Sequence, residues 1–112
     1  MHKLARDKIP EIILKRTGKP AKIEILHDDA AYLDALNKKL LEEVGEFIEA
    51  LGENSREREM EEMADILEVI DAIYAFRGYD KQLIQDCKLA KNQERGGFYK
   101  RILLFLDDSN KK

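Results

Sequence analysis

The chain has 112 residues and 13.0 kDa, with 38% charged, 44% hydrophobic and only 7% aromatic residues, too apolar for disorder and suited to helices with charged outer faces. A formal net charge of −3 with scattered basic residues disfavours nucleic-acid binding, and no run approaches the ~18 apolar residues of a membrane span. Cys87 is the only cysteine and Lys3, Arg6, Asp7, Lys8 and Pro10 stand where a signal peptide needs an apolar run, so a soluble, cytoplasmic, single domain over 1–112 is expected.

The first element is a short helix with Pro10 in its opening turn, running through Ile12, Ile13 and Leu14 and stopping near Gly18. Residues Lys22 to Leu26 alternate polar and apolar, which predicts a short strand or extended segment. Asp28 or Asp29 then caps a long helix whose apolar residues Leu33, Leu36, Leu40, Val44, Phe47 and Leu51 recur at steps of three and four until Gly52 ends it. Asn54 or Ser55 caps a second long helix carrying Met63, Ile66, Leu67, Ile70, Ile73 and Tyr74 as far as Gly78. Asp80 caps a fourth helix that frays at Gly96-Gly97, and the apolar run Ile102 to Leu106 is short enough for a strand pairing with Lys22 to Leu26. Residues 107–112 form a polar tail. The pattern predicts an all-α bundle built on two long antiparallel helices plus shorter ones, with a small two-stranded extended pair and completion by oligomerisation.

Each long helix carries an acidic pair, Glu43 with Glu46 and Glu62 with Asp65, three residues apart and therefore on one face. Glu43 lies one turn from Leu40 and Phe47, and Glu62 one turn from Ile66, so both pairs border the packing surface. Carboxylates brought together there would repel one another and favour a compensating hard cation such as magnesium. Acid-x-x-acid spacing is common in this chain, as Glu59-Glu62 and Asp65-Glu68 show, so the pattern alone fits a metal site and a solvated face equally. On the fourth helix Lys88, Lys91, Asn92 and Arg95 fall on one mostly cationic face that can hold phosphate oxygens or simply be solvated. Neither His2 nor His27 sits in a ligand motif, and no Glu-x-x-His occurs on either long helix, which argues against a di-iron bundle.

With these motifs the chain resembles the all-α nucleoside triphosphate pyrophosphohydrolases of the MazG type, whose signature is Glu-x-x-Glu followed by Glu-x-x-Asp. Arg6-Asp7-Lys8-Ile9-Pro10-Glu11-Ile12-Ile13, Lys39-Leu40-Leu41-Glu42-Glu43 and Glu94-Arg95-Gly96-Gly97-Phe98 are similar to a compact branch described as phosphoribosyl-ATP pyrophosphohydrolase-like. The resemblance implies a homodimer or higher homo-oligomer acting on a nucleotide, with Mg2+ (Mn2+ as a substitute) held by Glu43, Glu46, Glu62 and Asp65. It implies hydrolysis of a nucleoside triphosphate to the monophosphate and pyrophosphate in a house-cleaning role. Glu42 is the candidate for positioning or deprotonating the attacking water, although its direction is nearly opposite the apolar stripe of its own helix. Lys88, Lys91, Asn92 and Arg95 would contact phosphates, with Arg6 and Lys8 as additions. The alternatives are phosphoribosyl-ATP hydrolysis in histidine biosynthesis and a non-catalytic helical interaction module.

Overall fold

The computed structural model describes residues 2–106, in which the regular elements are four helices: α1 (Ile9–Thr17), α2 (Asp29–Glu53), α3 (Arg56–Arg77) and α4 (Lys81–Arg95). The residues group into two compact units, one up to Gly78 and one from Tyr79 onward. No helix among the described residues is long and apolar enough to cross a membrane.

In the first unit α1 opens with Pro10 in its first turn and closes at Gly18, whose left-handed backbone (φ 74) lets its N–H reach the Leu14 carbonyl at 2.8 Å. Asp28 caps α2 by accepting from the Ala31 N–H at 2.9 Å. Gly52 does not end that helix. The left-handed residue is Asn54 (φ 56), and Ser55 immediately accepts from the Arg58 N–H to start α3. A connection this short turns the two helices into an antiparallel hairpin, and their packing on one another is the principal helix contact.

The seam of the hairpin is narrow. Leu36, Ala50 and Val69 are the buried apolar residues among the described residues, extended by a perpendicular contact between the Tyr32 and Phe76 rings at 5.1 Å. On α2 the buried residues are Leu36, Glu43 and Ala50, recurring every seven, which is the spacing of a helix–helix seam. Glu43 therefore sits within the buried line, further in than the edge position expected of it. The partner helix follows the seven-residue seam, so it covers Glu43 and leaves Leu51, at the other margin of the apolar stripe, 50% exposed.

In the second unit Asp80 caps α4 through the Gln82 and Leu83 N–H groups, and Gly96 ends it with φ 80 and ψ −174, a conformation that is essentially glycine's alone. Cys87 is exposed with a free thiol.

The expected extended pair is absent among the described residues. Neither Lys22 to Leu26 nor Ile102 to Leu106 enters a ladder, and Ile23, Ile25 and the whole 102–106 run are exposed. Five residues gain little from pairing when no third strand or apolar layer covers them, and Arg101 at φ 60 interrupts extended backbone before the second run begins. The tail expected at 107–112 lies outside the described residues.

Candidate metal centre and the family it belongs to

The hairpin brings Glu43 of α2 together with Glu62 and Asp65 of α3, each offering an oxygen within 4.8 Å of the others. The octahedral shell of magnesium is about 4.2 Å across, twice a metal–oxygen distance near 2.1 Å, so this span needs only a small inward side-chain adjustment. Glu46 stands beside Glu62, close enough to share a hydrogen bond with it.

Each of the two glutamates has a cation one turn earlier on its own helix. Lys39 Nζ lies 3.3 Å from Glu43 Oε1, and Arg58 Nε lies 4.0 Å from Glu62 Oε1. In both cases the cation takes one oxygen, and the other, Glu43 Oε2 and Glu62 Oε2, is buried without a hydrogen-bond partner. Orphaned buried carboxylate oxygens are costly. Two glutamates that each carry such an oxygen, clustered with a third carboxylate, are what a hard cation would satisfy, so the donor set fits a divalent metal with oxygen preference.

The electrostatics agree. Burial, then Glu46, then Asp65 and Glu43 push the Glu62 carboxyl above its ordinary range. Burial also works to raise Glu42 and lower Lys39, but their mutual attraction, aided by Lys3 at Glu42 and by Glu43 at Lys39, outweighs it, holding Glu42 below and Lys39 above their usual ranges. A third cation comes from the N-terminal segment: Arg6 donates to Asp65 Oδ1 at 2.6 Å and lies 3.7 Å from Glu68.

A raised carboxyl means that the folded chain binds more protons than the unfolded one between the two values, so folding stability falls as pH rises through that window. Glu62→Gln cannot ionise. Without added metal, its melting temperature is expected to exceed the wild type's by a margin that grows as pH rises above the ordinary carboxylate range. A constant or shrinking margin in a pH series of thermal melts would contradict the crowding of charge at Glu62.

The other expected site residues fall as follows. Glu42 is half-covered: it accepts from Lys39 at 3.3 Å and from Lys3 at 3.4 Å, leaving its side chain 31% exposed. Arg6 lines a cleft of about 680 Å3 in the first unit together with Lys8, Glu43 and Asp65. Lys88, Lys91, Asn92 and Arg95 are all exposed on α4 in the second unit, where Lys88 and Asn92 border a shallow groove with Gln82 and Gln85. His2 and His27 are exposed and outside the carboxylate cluster. Sequence reasoning assigned no role to Lys39, Arg58 or Lys3. The first two were legible as a base four residues before each of the two glutamates; Lys3 carries no such signal.

The sequence profile of the phosphoribosyl-ATP pyrophosphohydrolase family matches residues 11–79, more than half of the chain and the whole of the hairpin that carries the trio. The chain belongs to that family. No curated protein and no solved structure matches it. Membership makes nucleotide pyrophosphate hydrolysis the class of chemistry for the chain, and it confirms the branch that the three sequence segments resemble. The matched region excludes Arg6 and Lys8 before it and Lys88, Lys91, Asn92 and Arg95 after it.

Proposed function

We propose that the protein is a magnesium-dependent nucleotide pyrophosphohydrolase that converts a nucleoside triphosphate to the monophosphate and pyrophosphate in a house-cleaning role, and that it works as a homo-oligomer. The observation that carries this reading is the clustering of Glu43, Glu62 and Asp65, two of which carry a buried oxygen without a hydrogen-bond partner, inside the matched family region. Glu43, Glu62 and Asp65 hold the metal, with Glu46 as a fourth ligand reached by a side-chain rotation. When bound, the metal offsets charge on the phosphates and on the transferring group.

Hydrolysis adds a water oxygen to the α-phosphorus and breaks the bond from that phosphorus to the α,β-bridging oxygen. Pyrophosphate leaves, and the water's proton passes to solvent. Glu42, kept ionised by Lys39 and Lys3, suits the role of accepting a hydrogen bond from that water and orienting it better than that of a strong base. Lys39 bridges Glu42 and Glu43 and thereby fixes the distance between water and metal ligand. Lys88, Lys91, Asn92 and Arg95 remain the proposed phosphate contacts, with Lys8 a further addition.

Arg6 serves twice in this reading: it neutralises Asp65 before metal arrives and is then free to contact a phosphate. Arg6→Gln is therefore expected to tighten binding of Mn2+ alone by about two- to fivefold, the worth of one exposed ion pair, while weakening binding of the nucleotide. Calorimetric titration reads both, and a loss of Mn2+ affinity would oppose this role.

A second reading, hydrolysis of phosphoribosyl-ATP itself, is favoured by the name of the matched family. Pyrophosphate release from a panel of standard and altered nucleoside triphosphates and from phosphoribosyl-ATP, with and without Mg2+, separates the two. Turnover of a triphosphate supports the first, turnover of phosphoribosyl-ATP alone the second. No turnover of either would leave a non-catalytic helical module.

A further inference from the structure

Arg6 is shared between two carboxylates of α3. Its Nη2 donates to Asp65 Oδ1 at 2.6 Å, and its Nη1 lies 3.7 Å from Glu68 Oε1. Asp65 and Glu68 are three residues apart and so share a face of the helix, about 4.5 Å along its axis at 1.5 Å per residue. Asp65 belongs to the carboxylate trio, whereas Glu68 stands outside it with its side chain 59% exposed. Once Asp65 serves a cation, Arg6 loses its shorter contact and still has the longer one within reach.

The chain that Arg6 carries depends on such contacts. Residues 2–6 have no regular structure before the turn into α1, and of their side chains only Leu4 is half-buried, the rest being exposed. Ion pairs tie this segment to the hairpin: those of Arg6, and that of Lys3 Nζ with Glu42 at 3.4 Å. It forms one wall of the cleft whose opposite wall includes Glu43, Asp65 and Glu68. With Asp65 as its sole partner, Arg6 would let that wall go at the moment the site fills.

We infer that Glu68 is a positioning residue that receives the Arg6 guanidinium when Asp65 turns to the metal, so that segment 3–8 shifts along α3 and stays docked beside the site. This rests on the metal reading above. The guanidinium has five N–H donors in a planar fork, so Glu68 holds one edge and leaves the other for a phosphate. An exposed pair of this kind changes the docked population by about two- to fivefold.

The test is limited trypsin digestion of the full chain, reading cleavage after Lys3 and Lys8 by intact mass, because cleavage follows the population of the undocked segment. The ratio of the Glu68→Gln rate to the wild-type rate cancels any effect of Mg2+ on the protease. It is expected to be near one without Mg2+, where Asp65 holds Arg6, and to rise to about two- to fivefold with saturating Mg2+. In the Arg6→Gln background the further change Glu68→Gln should leave that ratio near one in both conditions. A ratio indifferent to Mg2+, in a wild type whose melting temperature rises with Mg2+, would overturn the role of Glu68 alone. So would an Mg2+ effect that persists without Arg6. A wild type whose melting temperature ignores Mg2+ would overturn the metal site and this role with it.

Discussion

Glu43→Gln is expected to lower magnesium-dependent pyrophosphate release by about a hundredfold or more, because it removes a charged ligand from the proposed site, whose metal would supply several kcal/mol of charge stabilisation. The substitution is nearly isosteric, and Lys39 and the Leu36–Ala50 line remain to hold the seam, so the fold should survive. Lost activity should therefore come with a normal helical spectrum and a melting temperature that no longer responds to Mg2+. A variant that keeps wild-type turnover, or one that still gains stability from Mg2+ as the parent does, would remove Glu43 from the metal site.

Ile48→Glu is expected to break the assembly. Among the described residues the only buried apolar side chains of the hairpin are Leu36, Ala50 and Val69, while α2 leaves Leu41 73% and Ile48 62% exposed and α3 leaves Met60 66% exposed, with Leu51, Met63 and Leu67 beside them at helical spacing. Each helix thus shows a second apolar stripe that its own chain does not cover, and burial of one such side chain stabilises by about 1.5–3 kcal/mol. A second copy of the chain is the partner proposed for it. Light scattering after size exclusion should give a dimer or larger species for the wild type and a monomer of much lower melting temperature for Ile48→Glu. A monomeric wild type would contradict self-association, and an unchanged assembly in the variant would place the interface elsewhere.

The four helices were legible because each carries its own stop and start chemistry: Pro10 stands in the first turn of α1, and Gly18, Asp28, Ser55, Gly78, Asp80 and Gly96 occupy the cap positions that their types predict. Gly52 misled because glycine permits a helix end without requiring one, and Asn54 two residues later takes the left-handed position instead. The extended pair misled because alternation over five residues states a preference for extension and says nothing about a partner. For the site, the spacing of Glu43, Glu62 and Asp65 put them on facing surfaces, and the hairpin brings them together as that spacing implies. What the spacing could not show was depth. Whether Glu43 lies at the margin or inside the seam depends on where α3 crosses α2, a property of two helices that neither sequence stripe contains. The same holds for Glu42, whose neighbours Lys3 and Lys39 fold over it and turn an outward-facing carboxylate into a half-covered one.

The most direct measurement is anomalous diffraction from crystals grown with Mn2+. The expected result is one strong peak about 2.1 Å from Glu43 Oε2, Glu62 Oε2 and a carboxylate oxygen of Asp65, with Arg6 withdrawn from Asp65. A fully active enzyme whose manganese peak lies away from these three oxygens would contradict the assignment of the metal to them.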